Sequence, residues 1–158
     1  YFVRSLFRIF PDTKRYITVW RRYPGRTVPA VLYRARQAVI HHYDTIRNYA
    51  LNTSGSVYAC GWLLDIARGI YTLRTGSVIA KTKAGVWALE QRLCPVEHDL
   101  KTALTVRNNP LRYKNDPDIR EWAAALGPSI QRFADVLEAE IQQTAQPVDH
   151  AMGNKIHH

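Results

Sequence analysis

Residues 56–74 constrain the fold of this chain more than any other stretch. Val57, Tyr58, Trp62, Leu63, Leu64, Ile66, Ile70, Tyr71 and Leu73 fall on nearly every side of a helical wheel. A helix without a polar face is stable only with neighbours packed around it. The segment therefore predicts the central helix of an all-α bundle, and the rest of the chain should supply the helices that surround it. Two charges interrupt it, Asp65 and Arg68. Side chains three apart share one side of a helix, and burying either charge alone would be strongly unfavourable. They either pair with each other or line a cleft.

The surrounding helices follow from periodicity and stop signals. Thr27 reads as an N-cap with Pro29 in the first turn. Val28, Val31, Leu32, Ala35, Val39, Tyr43, Ile46 and Ala50 then recur at the spacing of one helical face. Asn52-Thr-Ser-Gly55 separates this helix from the central one, and Gly76 ends the central one. A third helix is expected over about residues 82–93, broken by Cys94-Pro95, and a fourth over about 97–108, closed by Asn108-Asn-Pro110. Asn115-Asp116-Pro117 opens a fifth, which keeps register through Ile119, Trp122, Leu126, Ile130, Phe133, Leu137 and Ile141. Gly127-Pro128 should kink or split it.

The expected architecture is thus an all-α bundle of about five helices over residues 27–145, preceded by an irregular basic arm over 1–26 and followed by a frayed tail over 146–158. Tyr16–Trp20 in the arm reads as a short strand or an extended segment. The chain opens mid-pattern on Tyr1, as an excised fragment would, and His157-His158 reads as the start of a purification tag.

A chain of 158 residues is one domain by length. Its two cysteines, Cys60 and Cys94, sit in apolar helical contexts, which predicts buried free thiols and a cytoplasmic protein. No stretch has the roughly 18 uninterrupted apolar residues of a membrane span. Net charge is +9, and residues 1–36 hold nine cations against Asp12 alone. Such a field attracts polyanions, whether nucleic acid, nucleotide phosphate or an acidic protein face. The histidines lack companions at metal-ligand spacing, so no metal site is expected.

Lys81 stands where the third helix starts. A cation works against the helix dipole there, and an anionic partner would relieve the conflict. A helix N-terminus with a lysine and a nearby arginine can cradle phosphates.

The series Arg68-x-x-Tyr71-x-x-x-Thr75-Gly76-x-x-x-x-Lys81-x-x-Ala84-x-x-Trp87-Ala-x-Glu90 resembles the C-terminal helical domain of the aminoglycoside adenylyltransferases of the streptomycin/spectinomycin type. The likeness runs without a gap from Arg68 to Glu90 and extends more loosely to Ala103-Leu104-x-x-Arg107. It implies that Arg68 and Lys81 reach the triphosphate of ATP, while Tyr71 and Trp87 are packing positions. Tyr49, Tyr58, Trp62 and Asp65 would then wall the acceptor pocket. It also implies an N-terminal nucleotidyltransferase domain as partner, holding the magnesium and the catalytic carboxylates, so no residue of this chain is expected to be catalytic. The acceptor would be a small molecule, an aminoglycoside or another. Residues 49–61 carry no carboxylate with which a polycation could pair.

Two other readings compete. A stand-alone basic helical module could bind RNA or protein through residues 1–36. Arg36-x4-His41 also resembles the Arg–His motif of the HEPN ribonucleases, themselves helical bundles, in which the two side chains would hold a phosphate and move a proton.

Overall fold

The computed structural model describes residues 29–145, and all the regular structure among them is helical. The elements are α1 (Pro29–Leu51), a 3-10 turn (Val57–Cys60), α2 (Gly61–Thr75), α3 (Lys81–Glu90), α4 (Glu97–Asn108), α5 (Pro110–Tyr113), α6 (Pro117–Ala124) and α7 (Gly127–Ala145). The arm over 1–26, the Thr27 cap and the tail beyond 145 lie outside the described residues.

α2 is the central helix that its composition predicts. Leu63, Leu64, Ile66, Ala67 and Ile70 are completely buried, and α1, α3, α4 and α7 pack around it. Ile46, Leu100, Ile130, Phe133 and Leu137 close the core from those neighbours. Each large side chain buried this way stabilises the fold by about 1.5–3 kcal/mol.

The helix ends account for where the structure departs from the expected boundaries. The first turn of the expected 56–74 helix is 3-10, with Ser56 Oγ accepting from the Tyr58 N–H at 3.4 Å, and this turns Tyr58 out to solvent. Gly76, in the left-handed region at φ 70°, stops α2, and its N–H returns to the Thr72 carbonyl. α3 begins at Lys81 and stops at Glu90, short of the expected Leu93. Arg92 at φ 53° reverses the chain there, and the Leu93 N–H bonds the Ala88 carbonyl at 2.9 Å.

The fifth expected helix is two. Asp116 caps α6 through Oδ1, which accepts from the Asp118 and Ile119 N–H groups. α6 ends at Ala124, and α7 restarts at Gly127-Pro128. Gly127 lies against α1 so closely that a Cβ would sit 2.4 Å from the Ala50 carbonyl oxygen. With the four-residue α5 this makes seven α-helices among the described residues where about five are expected.

Polar links between elements complete the bundle. Arg47 on α1 reaches α7, donating to the Gln131 carbonyl at 2.8 Å, Gln131 Oε1 at 2.6 Å, Asp135 at 2.5 Å and Glu138 at 2.9 Å. Asp99 on α4 accepts from Trp122 Nε1 at 2.8 Å and from the Ser129 hydroxyl, so one carboxylate ties α4 to α6 and α7. Arg74 and the buried Glu140 pair α2 with α7.

Candidate functional site

The two charges that interrupt α2 meet a third. Asp65 accepts from Arg68 Nη2 at 2.8 Å through Oδ1 and from Lys81 Nζ at 2.7 Å through Oδ2. The side chains of Asp65, Arg68 and Lys81 are 9%, 6% and 16% exposed. The structure thus satisfies both expectations for the Asp65–Arg68 pair: the charges neutralise each other, and they also border a cavity.

Lys81 arrives by a specific route. α2 runs ten residues beyond Asp65, about 15 Å at the helical rise, before Gly76 turns the chain. Residues 76–80, which carry no regular structure, bring it back beside α2 so that α3 opens against Asp65. Val78 lines the cavity and Ile79 packs on the core along the way. α3 itself starts without a side-chain cap and without an acidic residue in its first turn. Its first N–H groups therefore have no side-chain partner, and the Lys81 ammonium adds positive charge at the same helix end.

The electrostatics follow from burial. Burial lowers the proton affinity of Lys81, with Asp65 opposing that effect and Arg68 and Arg107 adding to it. Arg68 is lowered for the same first reason, held up by Asp65 and pushed down by Arg107. Arg107, exposed on α4, is thus a third cation acting on the cluster.

An aromatic group adjoins it. Trp62 stacks on Tyr49 with centroids 4.7 Å apart and on His42 with centroids 5.4 Å apart. Tyr49 and His42 are two turns apart on α1, so the indole lies between them. His42 Nε2 is buried without a hydrogen-bond partner among the described residues. Its ring lines, with Asp65, Arg68 and Thr72, a cavity of about 20 Å³, room for a single water. Burial lowers the His42 pKa, Asp65 opposes this, and Lys81, Arg68 and His41 reinforce it. Sequence reasoning gave no site role to His42 or to Arg107, although Arg107 stands in the segment to which the likeness extends. The signal for His42 was its place three residues after Val39 and four before Ile46, on the inward stripe of α1.

Other candidates lie apart from this group. Tyr58 is 69% exposed on the 3-10 turn, whereas Tyr49 and Trp62 stand beside the cluster. Tyr71 and Trp87 pack edge to face with centroids 5.0 Å apart, joining α2 to α3. Arg36 donates from Nη2 to the Leu73 carbonyl at 3.4 Å, at the C-terminal end of α2, while His41 is exposed. Five residues along a helix turn through about 140° beyond one full rotation, and the two side chains share no partner among the described residues. Cys60 and Cys94 are buried free thiols, each pushed by burial up to about 11. Among the described residues no three metal-ligating side chains cluster, and no helix is long and apolar enough to cross a membrane.

No family model, no curated protein and no solved structure matches the chain.

Proposed function

We propose that this chain is the helical domain of an adenylyltransferase-like nucleotidyltransferase of the cytoplasm. It helps bind the triphosphate of ATP through Lys81 and Arg68, and it walls the pocket of a small-molecule acceptor with α1 and α2. One observation carries the reading: Arg68 and Lys81 converge on one carboxylate at the uncapped start of α3, leaving an excess of positive charge in a half-buried place. Such charge attracts phosphate oxygens strongly, because water screens it poorly there. The register from Arg68 to Glu90 adds the family expectation to that physical one. Tyr49 and Trp62, beside the cluster, and Asp65 within it supply the acceptor wall, while Tyr58, exposed on the 3-10 turn, stands apart from it.

The residues here suit phosphate and not magnesium. Asp65 is taken up by two cations, and no group of three metal-ligating side chains occurs among the described residues. Magnesium would be held by carboxylates of an N-terminal partner domain and would supply charge neutralisation there. This chain supplies cations and a wall, and by itself transfers no nucleotidyl group.

Calorimetric titration with MgATP at two salt concentrations tests the reading, with RNA titrated in parallel. Expected is measurable MgATP binding that Lys81→Ala abolishes without changing the thermal midpoint by more than a few degrees. Absence of MgATP binding, or binding indifferent to Lys81→Ala, overturns it. Steeply salt-dependent RNA binding that ignores Lys81 would establish the basic-module reading instead. Ribonuclease activity lost in His41→Ala would establish the HEPN-like one.

A further inference from the structure

α3 turns two unlike sides to its surroundings. Ala84, Gly85 and Ala88 are buried, and a Cβ on Gly85 would come within 2.8 Å of Leu64 and 3.0 Å of Leu104. That side lies flush on α2 and α4. The other side carries Lys83, Val86, Trp87 and Glu90. With Leu104 of α4 they line an open depression of about 380 Å³, in which Val86 is 46% exposed and Trp87 half-buried.

The helix by itself leaves the charges on this side unsatisfied. Lys83 and Glu90 are exposed and make no ion pair among the described residues. They stand about two turns apart, about 10.5 Å along the axis, beyond the three- and four-residue spacing at which helical side chains meet. The positions that do meet each of them, between the two, are Val86 and Trp87.

The pattern is also symmetric about its midpoint. Cation, apolar, apolar and anion follow one another at intervals of three, one and three residues. A second α3 laid antiparallel across the first, with a two-fold axis between Val86 and Trp87, sets Lys83 of each copy against Glu90 of the other. Val86 of each copy then meets Trp87 of the other. An isologous contact requires such self-complementarity, because one patch must serve both partners. A parallel arrangement would set Lys83 on Lys83 and Glu90 on Glu90, which like-charge repulsion disfavours.

We propose that this side of α3 is the interface of a two-fold dimer of the chain, with Lys83 paired to Glu90 of the second copy at both ends. Val86 and Trp87 pack across the axis and fill the two depressions. The contact is carried by a ten-residue helix and its border with α4. That is smaller than the roughly 1,200 Å² at which specific interfaces become stable, so the dimer is weak and depends on concentration. Lys81 bonds Asp65 on α2, so the interface uses none of the charge cluster. The inference stands independently of the nucleotide reading.

Sedimentation of the full chain from micromolar to near-millimolar concentration tests it, with a reversible monomer–dimer equilibrium expected. Lys83→Glu and Glu90→Lys each set like charges opposite one another, and each should weaken the dimer about tenfold or more. The two substitutions shift net charge in opposite directions, so a general effect of charge on association would move them oppositely. Mixed in equal amounts, the two variants should associate again, because one copy then brings two anions and the other two cations. Lys83→Glu/Glu90→Lys, in which both pairs are reversed, should dimerise as the unsubstituted chain does. Val86→Asp, at an exposed position, should lose the dimer while the thermal midpoint stays within a few degrees. A chain that is monomeric throughout overturns the proposal. So does a dimer that tolerates Lys83→Glu or Val86→Asp, or a pair of charge variants that fails to associate on mixing.

Discussion

His42 stacks against Trp62 with its Nε2 enclosed, and burial holds its pKa below the ordinary 6.5. As pH falls through that value the unfolded chain takes up the proton first. Unfolding then binds protons, and the stability contributed by neutral His42 is present above pH 6.5 and lost as pH falls through the folded pKa. His42→Phe keeps a ring against the indole and cannot titrate. It should flatten the slope of unfolding free energy against pH below about 6.5, measured by urea melts at stepped pH. Asp65 matters through the charges it neutralises. Asp65→Ala strands the guanidinium of Arg68 in the core and should lower stability by about 3–5 kcal/mol. Lys81→Ala leaves Asp65 and Arg68 paired and should lower it by only about 1 kcal/mol. Denaturant midpoints of the two variants check the contrast. The Asp65–Arg68 pair was legible from its three-residue spacing alone. The third member was not, because Lys81 lies sixteen residues from Asp65 and only the return path of residues 76–80 brings it there.

Helix termini hold the next set of consequences. Arg92 takes the left-handed conformation that ends α3, one that a side chain adopts at a cost of about 1–2 kcal/mol. Arg92→Gly should therefore raise stability by about 1 kcal/mol, read as a higher urea midpoint at constant m-value. Gly127→Ala should do the reverse. Its Cβ meets the backbone oxygen of Ala50, which cannot rotate away as a side chain would, so a loss near the upper end of about 1–3 kcal/mol is expected. Stop signals written locally were readable: Gly76, and Asp116 before Pro117. The split at Gly127-Pro128 was readable as well. Signals that depend on a distant partner were not. The tie from Asp99 to Trp122 and Ser129 spans 23 and 30 residues, and nothing in the periodicity of α4 announces it. The end of α3 at Glu90 escaped notice because arginine is not a residue that advertises a left-handed turn.

At the scale of the molecule, the all-α class was legible because α2 lacks a polar face and because the inward stripes of α1 and α7 are long. What surrounds the charge cluster was legible only in part. Tyr49 and Trp62 come together as a consequence of α1 packing on α2, whereas Tyr58 is turned out by a 3-10 turn that helical periodicity does not distinguish from α. The clasp from Arg47 to Gln131, Asp135 and Glu138 holds α1 to α7 at a rim where Asp135 is 67% exposed. Exposed pairs contribute little singly, but Arg47 also donates to a backbone carbonyl and to the Tyr43 hydroxyl. Arg47→Ala should lower the thermal midpoint by several degrees, more at low salt than at high.

The return segment from Gly76 to Ala80 works as a length gauge. It is a span without regular structure between a fixed stop and a helix whose first residue must meet Asp65, with Val78 and Ile79 holding it midway. Chains with one glycine inserted after Ser77 should retain their core, since every helix keeps its own face. Lys81 in them would be set out of reach of Asp65. Ligand affinity and fold stability would then be separable by a change that removes no side chain.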